Sequence, residues 1–288
     1  MITLIPETSQ PEIDFIKTHA NTSRFTICDF HPKNLENIAT PTVYGWSYDG
    51  IDVVDHHAPD RRFQKPISSG PLAIEYLKHH STAQEAIINH TDTDSIISSG
   101  IVTGLLPPLE VLADACIAAD HTGEENEIAD FIQELEDKRD FDLGINIISA
   151  FLDNKPLPQI ALEAREIRKR QREIAFEFAS NAKIQGPIAS IVTTETIDSV
   201  LLVPFLPETQ IIVLTMPFRG DSKRAEVKLR LGRQAHTEMS LQNLNIQRFL
   251  KTYGGRWNAG SNRRGGGIDL TPADAELFVV TNLLNQFA

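Results

Sequence analysis

The sequence predicts an α/β protein of two domains, a parallel-sheet N-terminal domain joined by a long helix to a smaller α/β domain. Three observations carry that reading. The chain has 288 residues, more than the commonest single core uses. Its first half alternates short β-rich runs with helical patterns, as in sheets covered by helices. Between Leu157 and Lys183 runs one long helical pattern, after which the texture turns β-rich again.

In chain order, "RFTICDF", "GIDVVDHH" and "EAIINHTDTD" read as strands buried on both faces, with the helical "PLAIEYLKHH" before the third. From Asp94 to about Ala150 the pattern is helical, in "SIISSGIVTGLL", "LEVLADACIAAD", "ENEIADFIQELED" and "INIISAFLDN". The long helix carries Ile160, Ala164, Ile167, Gln171, Ile174 and Phe178 at helical spacing, a seam broken only by Gln171. "IASIVTT", "SVLLVPFL", "TQIIVLTMPF" and "AEVKLRLGR" read as strands, followed by a helical "LNIQRFLKTYG", a glycine-rich loop and a closing helix in "PADAELFVVTNLLNQF". The expected boundaries are 1–156, a connector helix over 157–185, and 186–288.

Composition narrows the function classes. With 41% apolar and 23% charged residues, and no apolar run of bilayer length, the chain reads as soluble. "MITLIPETSQ" lacks the features of a secretory signal, so a cytoplasmic address is expected. Cys28 and Cys116 sit in apolar stretches without metal-type spacing and read as buried thiols. A net charge of −12 argues against extensive wrapping of duplex nucleic acid. That average hides a basic segment: from Arg219 to Arg264 there are eleven Lys or Arg against three Asp or Glu. Such a surface suits a small phosphorylated ligand or a short single strand; a solvated charged face is the bland alternative.

Ligand-type side chains close several apolar elements: Asp29 in "TICDFHP", Asp55-His56-His57 in "VVDHH", His90, Asp92 and Asp94 in "INHTDTDS", and Asp120 in "ACIAADHTG". If the third stretch stays extended through Asp94, His90, Asp92 and Asp94 share one side and Thr91 and Thr93 the other. Open parallel sheets bind ligands beyond the carboxyl ends of their strands, so these segments would converge on one crevice. Carboxylates so gathered repel unless protons or cations compensate, and mixed Asp and His ligands suit manganese, iron or zinc better than calcium. Two metals ~3.5–4 Å apart can clamp the attacking and leaving oxygens of a phosphoryl displacement and lower the pKa of a bridging water. His31, His79, His80 and His236 are read as surface or capping histidines.

The triplet Asp55-His56-His57, with "NHTDTDSIISS", "ACIAADHTGE" and Asp29, resembles the DHH phosphoesterase superfamily. In the second domain, "AEVKLRLGR" and "LNIQRFLKTYGGRWNAGSNRRGGG" resemble the accessory, DHHA1-type domain of its nucleotidyl branch. The usual motif order differs here, because the HxDxD-like segment follows the triplet. The resemblance implies a manganese-dependent phosphoesterase hydrolysing a short oligonucleotide, cyclic dinucleotide or nucleotide phosphate in the cleft between domains. Two divalent ions are implied, one held by His90 and Asp92, the other by Asp94, His56 and Asp120, with Asp29 bridging; Asp49 and Asp114 are alternatives for the bridge. Asp55 would orient a neighbouring imidazole, and His57 would face the scissile phosphate. Arg230, Gly254, Gly255, Arg256, Asn258 and Gly260 would hold the distal substrate. Trp257 stands where that loop normally carries His, which favours stacking on a base or sugar. A pyrophosphate or polyphosphate hydrolase is the alternative within the same chemistry, and a non-catalytic metal- or nucleotide-binding protein the alternative from another class. A homodimer is compatible with all of them.

Overall fold

A computed structural model describes residues 1–6, 10–58, 60–235 and 239–287. His236 lies outside them. The chain divides into two compact units, Met1–Lys169 and Arg170–Ala288, with the division inside the long helix.

The first unit is built on a six-stranded sheet in the order β1-β6-β2-β5-β4-β3. Its elements are β1 (Ile2–Leu4), α1 (Ile13–His19), β2 (Thr26–Cys28), β3 (Thr40–Thr42), β4 (Gly45–Tyr48), β5 (Ile51–Val54), α2 (Ser69–His79), β6 (Ala86–Ile88), α3 (Thr93–Thr103), α4 (Glu110–Ile117), α5 (Glu127–Gln133), α6 (Phe141–Leu152) and the start of α7 (Gln159–Ser180). β1, β6, β2 and β5 run parallel, as the buried apolar runs predict, and β4 and β3 add an antiparallel edge. β2 and β6 are wholly buried, as their unbroken apolar runs require. The strands carrying Asp29, the DHH triplet and His90 at their carboxyl ends, β2, β5 and β6, therefore stand side by side despite their order in the chain.

The expected extension through Asp94 does not occur. β6 ends at Ile88, Asp92 becomes the N-cap of α3, accepting from the Ser95 N–H at 2.9 Å, and Asp94 enters the first helical turn. Asp is a strong N-cap, and here capping overrides the apparent period-2 pattern.

A second buried acid fastens the sheet edge. The Glu85 carboxylate, just before β6, accepts from the Asn21 and Thr22 backbone N–H groups at 3.0 and 2.9 Å and from the Thr3 and Thr22 hydroxyls at 2.5 and 2.9 Å. Burial alone would raise its pKa, but these donors lower it below the ordinary value. The stability it contributes is present above the unfolded Glu value of about 4.3 and is lost as pH falls through the lower folded one. Glu85→Gln is expected to cost about 2 kcal/mol at pH 7 and to flatten the acid limb, read by urea melts between pH 3 and 7.

In α7 the buried positions are Ala161, Ala164, Arg168, Ala175 and Ala179; of the expected seam Ala164 is buried, Ile160, Ile174 and Phe178 are partly buried against the cores, and Ile167 is 46% exposed. Small Ala side chains allow close packing there, and Arg168 reaches Glu134 at 3.5 Å.

The second unit has its own six-stranded sheet, in the order β11-β12-β10-β9-β8-β7. These strands are β7 (Lys183–Gln185), β8 (Ile188–Val192), β9 (Ile211–Phe218), β10 (Asp221–Leu231), β11 (Gly254–Gly255) and β12 (Ala259–Ser261), followed by α8 (Pro272–Leu284). Only β8 and β9 pair in parallel. One face packs Val213, Val227 and Leu229 against Val279 and Leu283 of α8. The other packs Ile212, Leu214 and Met216 against Leu201 and Leu202. Those two leucines belong to a 3-10 segment, Ser199–Phe205, where "SVLLVPFL" had read as a strand; Asp198 caps it and Pro204 excludes it from a sheet interior. "LNIQRFLKTYG", expected to be helical, holds one short 3-10 turn, Ile246–Arg248, which follows a preceding turn, Leu241–Leu244, across Asn245 in the left-handed region at φ 45°. Trp257 packs against this unit's core, so part of its expected stacking surface is already used.

Candidate metal and phosphoester site

β2 ends in Asp29, held at φ 62°, a left-handed conformation that Asp and Asn tolerate better than other side-chain-bearing residues. This turn sends a buried carboxylate over the ends of β5 and β6. Its Oδ2 lies 3.1 Å from His90 Nε2, while Oδ1 lies 3.7 Å from His56 Nε2 and 3.6 Å from His57 Nδ1. Ser69 and Ser95 donate hydroxyls to the two oxygens at 2.9 and 2.8 Å. Asp49 is exposed at the β4–β5 turn beside Lys17, and Asp114 lies on the exposed side of α4; neither joins this cluster.

The imidazoles are oriented from behind. His56 Nδ1 donates to the Ile67 carbonyl at 2.6 Å, leaving Nε2 facing Asp29, Asp94 and Asp120, the last two at 3.6 and 3.3 Å. This is the arrangement a metal-ligating His requires. His90 Nδ1 bonds the Asn89 side chain, and its Nε2 faces Asp92 at 3.3 Å as well as Asp29. Asp55 orients His57: its Oδ1 receives Nδ1–H at 2.7 Å, and its Oδ2 receives the His57 and Ala58 backbone N–H groups.

Asp94 is fixed differently. Its two oxygens accept the Ser69 and Gly70 N–H groups at 2.7 Å each, placing a carboxylate on the N-terminus of α2. Glycine at 70 makes that approach possible, since a Cβ there would stand 2.4 Å from Cys116 Sγ on α4. α4 continues into a single π-turn, Ala118–Thr122, that carries Asp120 and His121. Cys28 and Cys116 are buried free thiols.

Charge is concentrated here. Burial first, then Asp92, raises the Asp29 pKa, and burial with Asp29 and Asp120 raises that of Asp94 far above the usual carboxylate range. Burial would also raise Asp92, but His90 beside it holds it well below that range. Asp55 follows the same logic: burial is outweighed by His57.

Three overlapping groups have ligand atoms within 4.8 Å of one another: Asp29, His56 and His57; Asp29, His90 and Asp92; and His56, Asp120 and His121. Six residues expected as ligands, Asp29, His56, His90, Asp92, Asp94 and Asp120, are thus brought together, and the donor set fits divalent transition metals.

Two histidines were not foreseen. His121 adjoins Asp120 and donates Nε2–H to the same Ile67 carbonyl that His56 uses, at 2.9 Å. His31, expected at the surface, is buried: Nε2 meets Glu36 at 2.8 Å and Nδ1 stands 3.7 Å from Asp55. His79 and His80 are exposed at the end of α2, as expected.

In the second unit, Gly254, Gly255, Arg256 and Gly260 line one open concavity of about 960 Å³. Arg230 is buried, with Nε 3.2 Å from the Ser199 hydroxyl, and Asn258 is buried beside β12. Neither is among the residues lining that concavity. No helix among the described residues is long and apolar enough to cross a membrane.

No family model matches the chain, and no curated protein does. Among solved structures it is similar to the pGpG-specific phosphodiesterase PggH from Vibrio cholerae, at 13% identity and a TM-score of 0.46, over 80% of this chain and 78% of that one. It is similar also to the exonuclease RecJ bound to manganese, at 13% identity and a TM-score of 0.40, over 95% and 78%.

Proposed function

We propose that the chain is a metal-dependent phosphoesterase of the DHH superfamily acting on a small nucleotide-type substrate, with manganese as its metal. Residues 1–156 would be the catalytic domain, 157–185 the connector and 186–288 the substrate-binding domain. The observation that carries the reading is Asp29, whose two oxygens face different imidazoles and which belongs to two of the three ligand groups. A carboxylate shared in this way is what a pair of neighbouring cations needs from a bridge.

Two divalent cations bound there would act as Lewis acids on phosphoryl oxygens and make water nucleophilic near neutral pH. His90 and Asp92 would hold one, Asp94, His56 and Asp120 the other. The Ile67 and Asn89 oxygens fix the tautomers of His56 and His90, so each imidazole presents Nε2 to the carboxylates. His57 is the more accessible member of the triplet, its side chain 28% exposed. With Nδ1 engaged by Asp55, its exchange of a proton with a leaving oxygen would run through Nε2. In the second unit, glycine backbone N–H groups and Arg256 would receive the rest of the ligand.

The test is the purified chain with added manganese, offered a dinucleotide, a cyclic dinucleotide, 3′-phosphoadenosine 5′-phosphate and pyrophosphate. Manganese-dependent release from a nucleotide is the expected result. Selective turnover of pyrophosphate would favour the alternative hydrolase, and no turnover of any compound would overturn the enzyme reading.

A further inference from the structure

The concavity of the second unit is lined by six cationic side chains, Arg219, Lys228, Lys251, Arg256, Arg263 and Arg264, and by one acid, Glu226. Glu226 sits on β10, where Val227 joins the core packed on α8 and the alternate residues, Glu226 and Lys228, line the concavity. The residue is 5% exposed, and its Oε1 has no hydrogen-bond partner among the described residues. The nearest cations are Lys228 Nζ, 3.9 Å from Oε1, and Arg263 Nε, 3.9 Å from Oε2, both outside hydrogen-bond reach.

A buried acceptor left in this state costs free energy, and in a surface suited to phosphate a carboxylate also repels the ligand's charge. Its presence makes sense if the same ligand carries N–H donors. A carboxylate offers two acceptor oxygens side by side and no donor. Of the common nucleobases, only guanine presents two adjacent donors on one edge, N1–H and the exocyclic N2–H. Adenine and cytosine set an amino group beside an acceptor nitrogen, which would face the second carboxylate oxygen lone pair to lone pair. Uracil sets a single N–H between two carbonyls.

We infer that Glu226 reads the base of the bound nucleotide and selects guanine, while the surrounding Arg and Lys side chains take its phosphates. This rests on the nucleotide reading of the chain proposed above. Arginine planes at the rim are also suited to stack on the base.

The experiment is calorimetric titration of the full chain with 5′-GMP, 5′-IMP and 5′-AMP. A bidentate pair is worth about ten- to hundredfold in discrimination, so GMP should bind that much more tightly than AMP. IMP keeps N1–H but lacks the 2-amino group and should fall between them. Glu226→Gln exchanges one acceptor for a donor, the pattern that complements adenine, and should move the preference from GMP to AMP. Glu226→Ala should erase the preference without reversing it. A purely structural Glu226 would leave the GMP-to-AMP ratio unchanged in both variants. An unchanged ratio, equal binding of GMP and AMP by the wild type, or no binding of any of the three would overturn the inference. Manganese-dependent hydrolysis of dinucleotides without base preference would sink this inference and leave the phosphoesterase reading standing. Guanine-selective binding without hydrolysis would do the reverse.

Discussion

Asp29→Asn is expected to abolish activity while leaving the metal-free protein as stable as the wild type, or more so. Asn tolerates the left-handed backbone at position 29, and its side-chain oxygen can still accept from Ser69 or Ser95. The substitution also removes one negative charge from a buried group that includes Asp92 and Asp94, relieving repulsion in the absence of cations. What it cannot preserve is the pair of anionic oxygens facing His90 and His56. Groups that merely orient metal ligands cost about 10–100-fold in metal affinity or activity when removed, so a shared ligand should cost more than about 100-fold. Thermal melts separate the two effects. Manganese at 100 times its Kd should stabilise the wild type by about 2.7 kcal/mol and should scarcely stabilise the variant. A variant that still gains stability from manganese and still turns over substrate would remove Asp29 from the bridge.

Asp94→Ala should lose both activity and stability, for a reason peculiar to its place in the fold. Its carboxylate receives the Ser69 and Gly70 N–H groups, so truncation leaves two buried donors at the start of α2 without their acceptor. Each such orphan costs about 1–3 kcal/mol, and the loss of an anion from the helix N-terminus adds to it. A fall of about 2–4 kcal/mol in urea melts is expected, alongside loss of activity beyond 100-fold. Asp94→Asn keeps one acceptor and should recover part of the stability but none of the activity. Equal stability of Asp94→Ala and Asp29→Asn would contradict the separate structural role assigned to Asp94.

Much of this site can be read from residue order, and the reasons are local. Asp29, the Asp55-His56-His57 triplet and His90 each follow a short apolar run, and such runs become neighbouring buried strands whose ends share one edge. Which strands are neighbours is a tertiary fact, and no pattern within β2, β5 or β6 states it. "HTDTDS" fits both an alternating strand and a capped helix start; the cap prevails because Asp92 satisfies the Ser95 N–H and the apolar run beyond it needs helical spacing to be buried. His121 was written beside Asp120, but only the π-turn aims it at the carbonyl shared with His56. His31 is polar and precedes Pro32, which reads as a surface turn; in the fold its Nε2 is paired with Glu36 at 2.8 Å, and its Nδ1 lies 3.7 Å from the Asp55 carboxylate. The 3-10 segment of Ser199–Phe205 is apolar from Val200 onward, and apolarity alone does not distinguish a buried strand from a buried turn.

The central claim is that these acids and imidazoles enclose two cations. Crystals grown with manganese, measured for anomalous scattering at its absorption edge, test it directly. Two peaks about 3.5–4 Å apart are expected, both touching Asp29, one beside His90 and Asp92 and the other beside His56, Asp94 and Asp120. Peaks elsewhere on the molecule, or none within reach of Asp29, would contradict it.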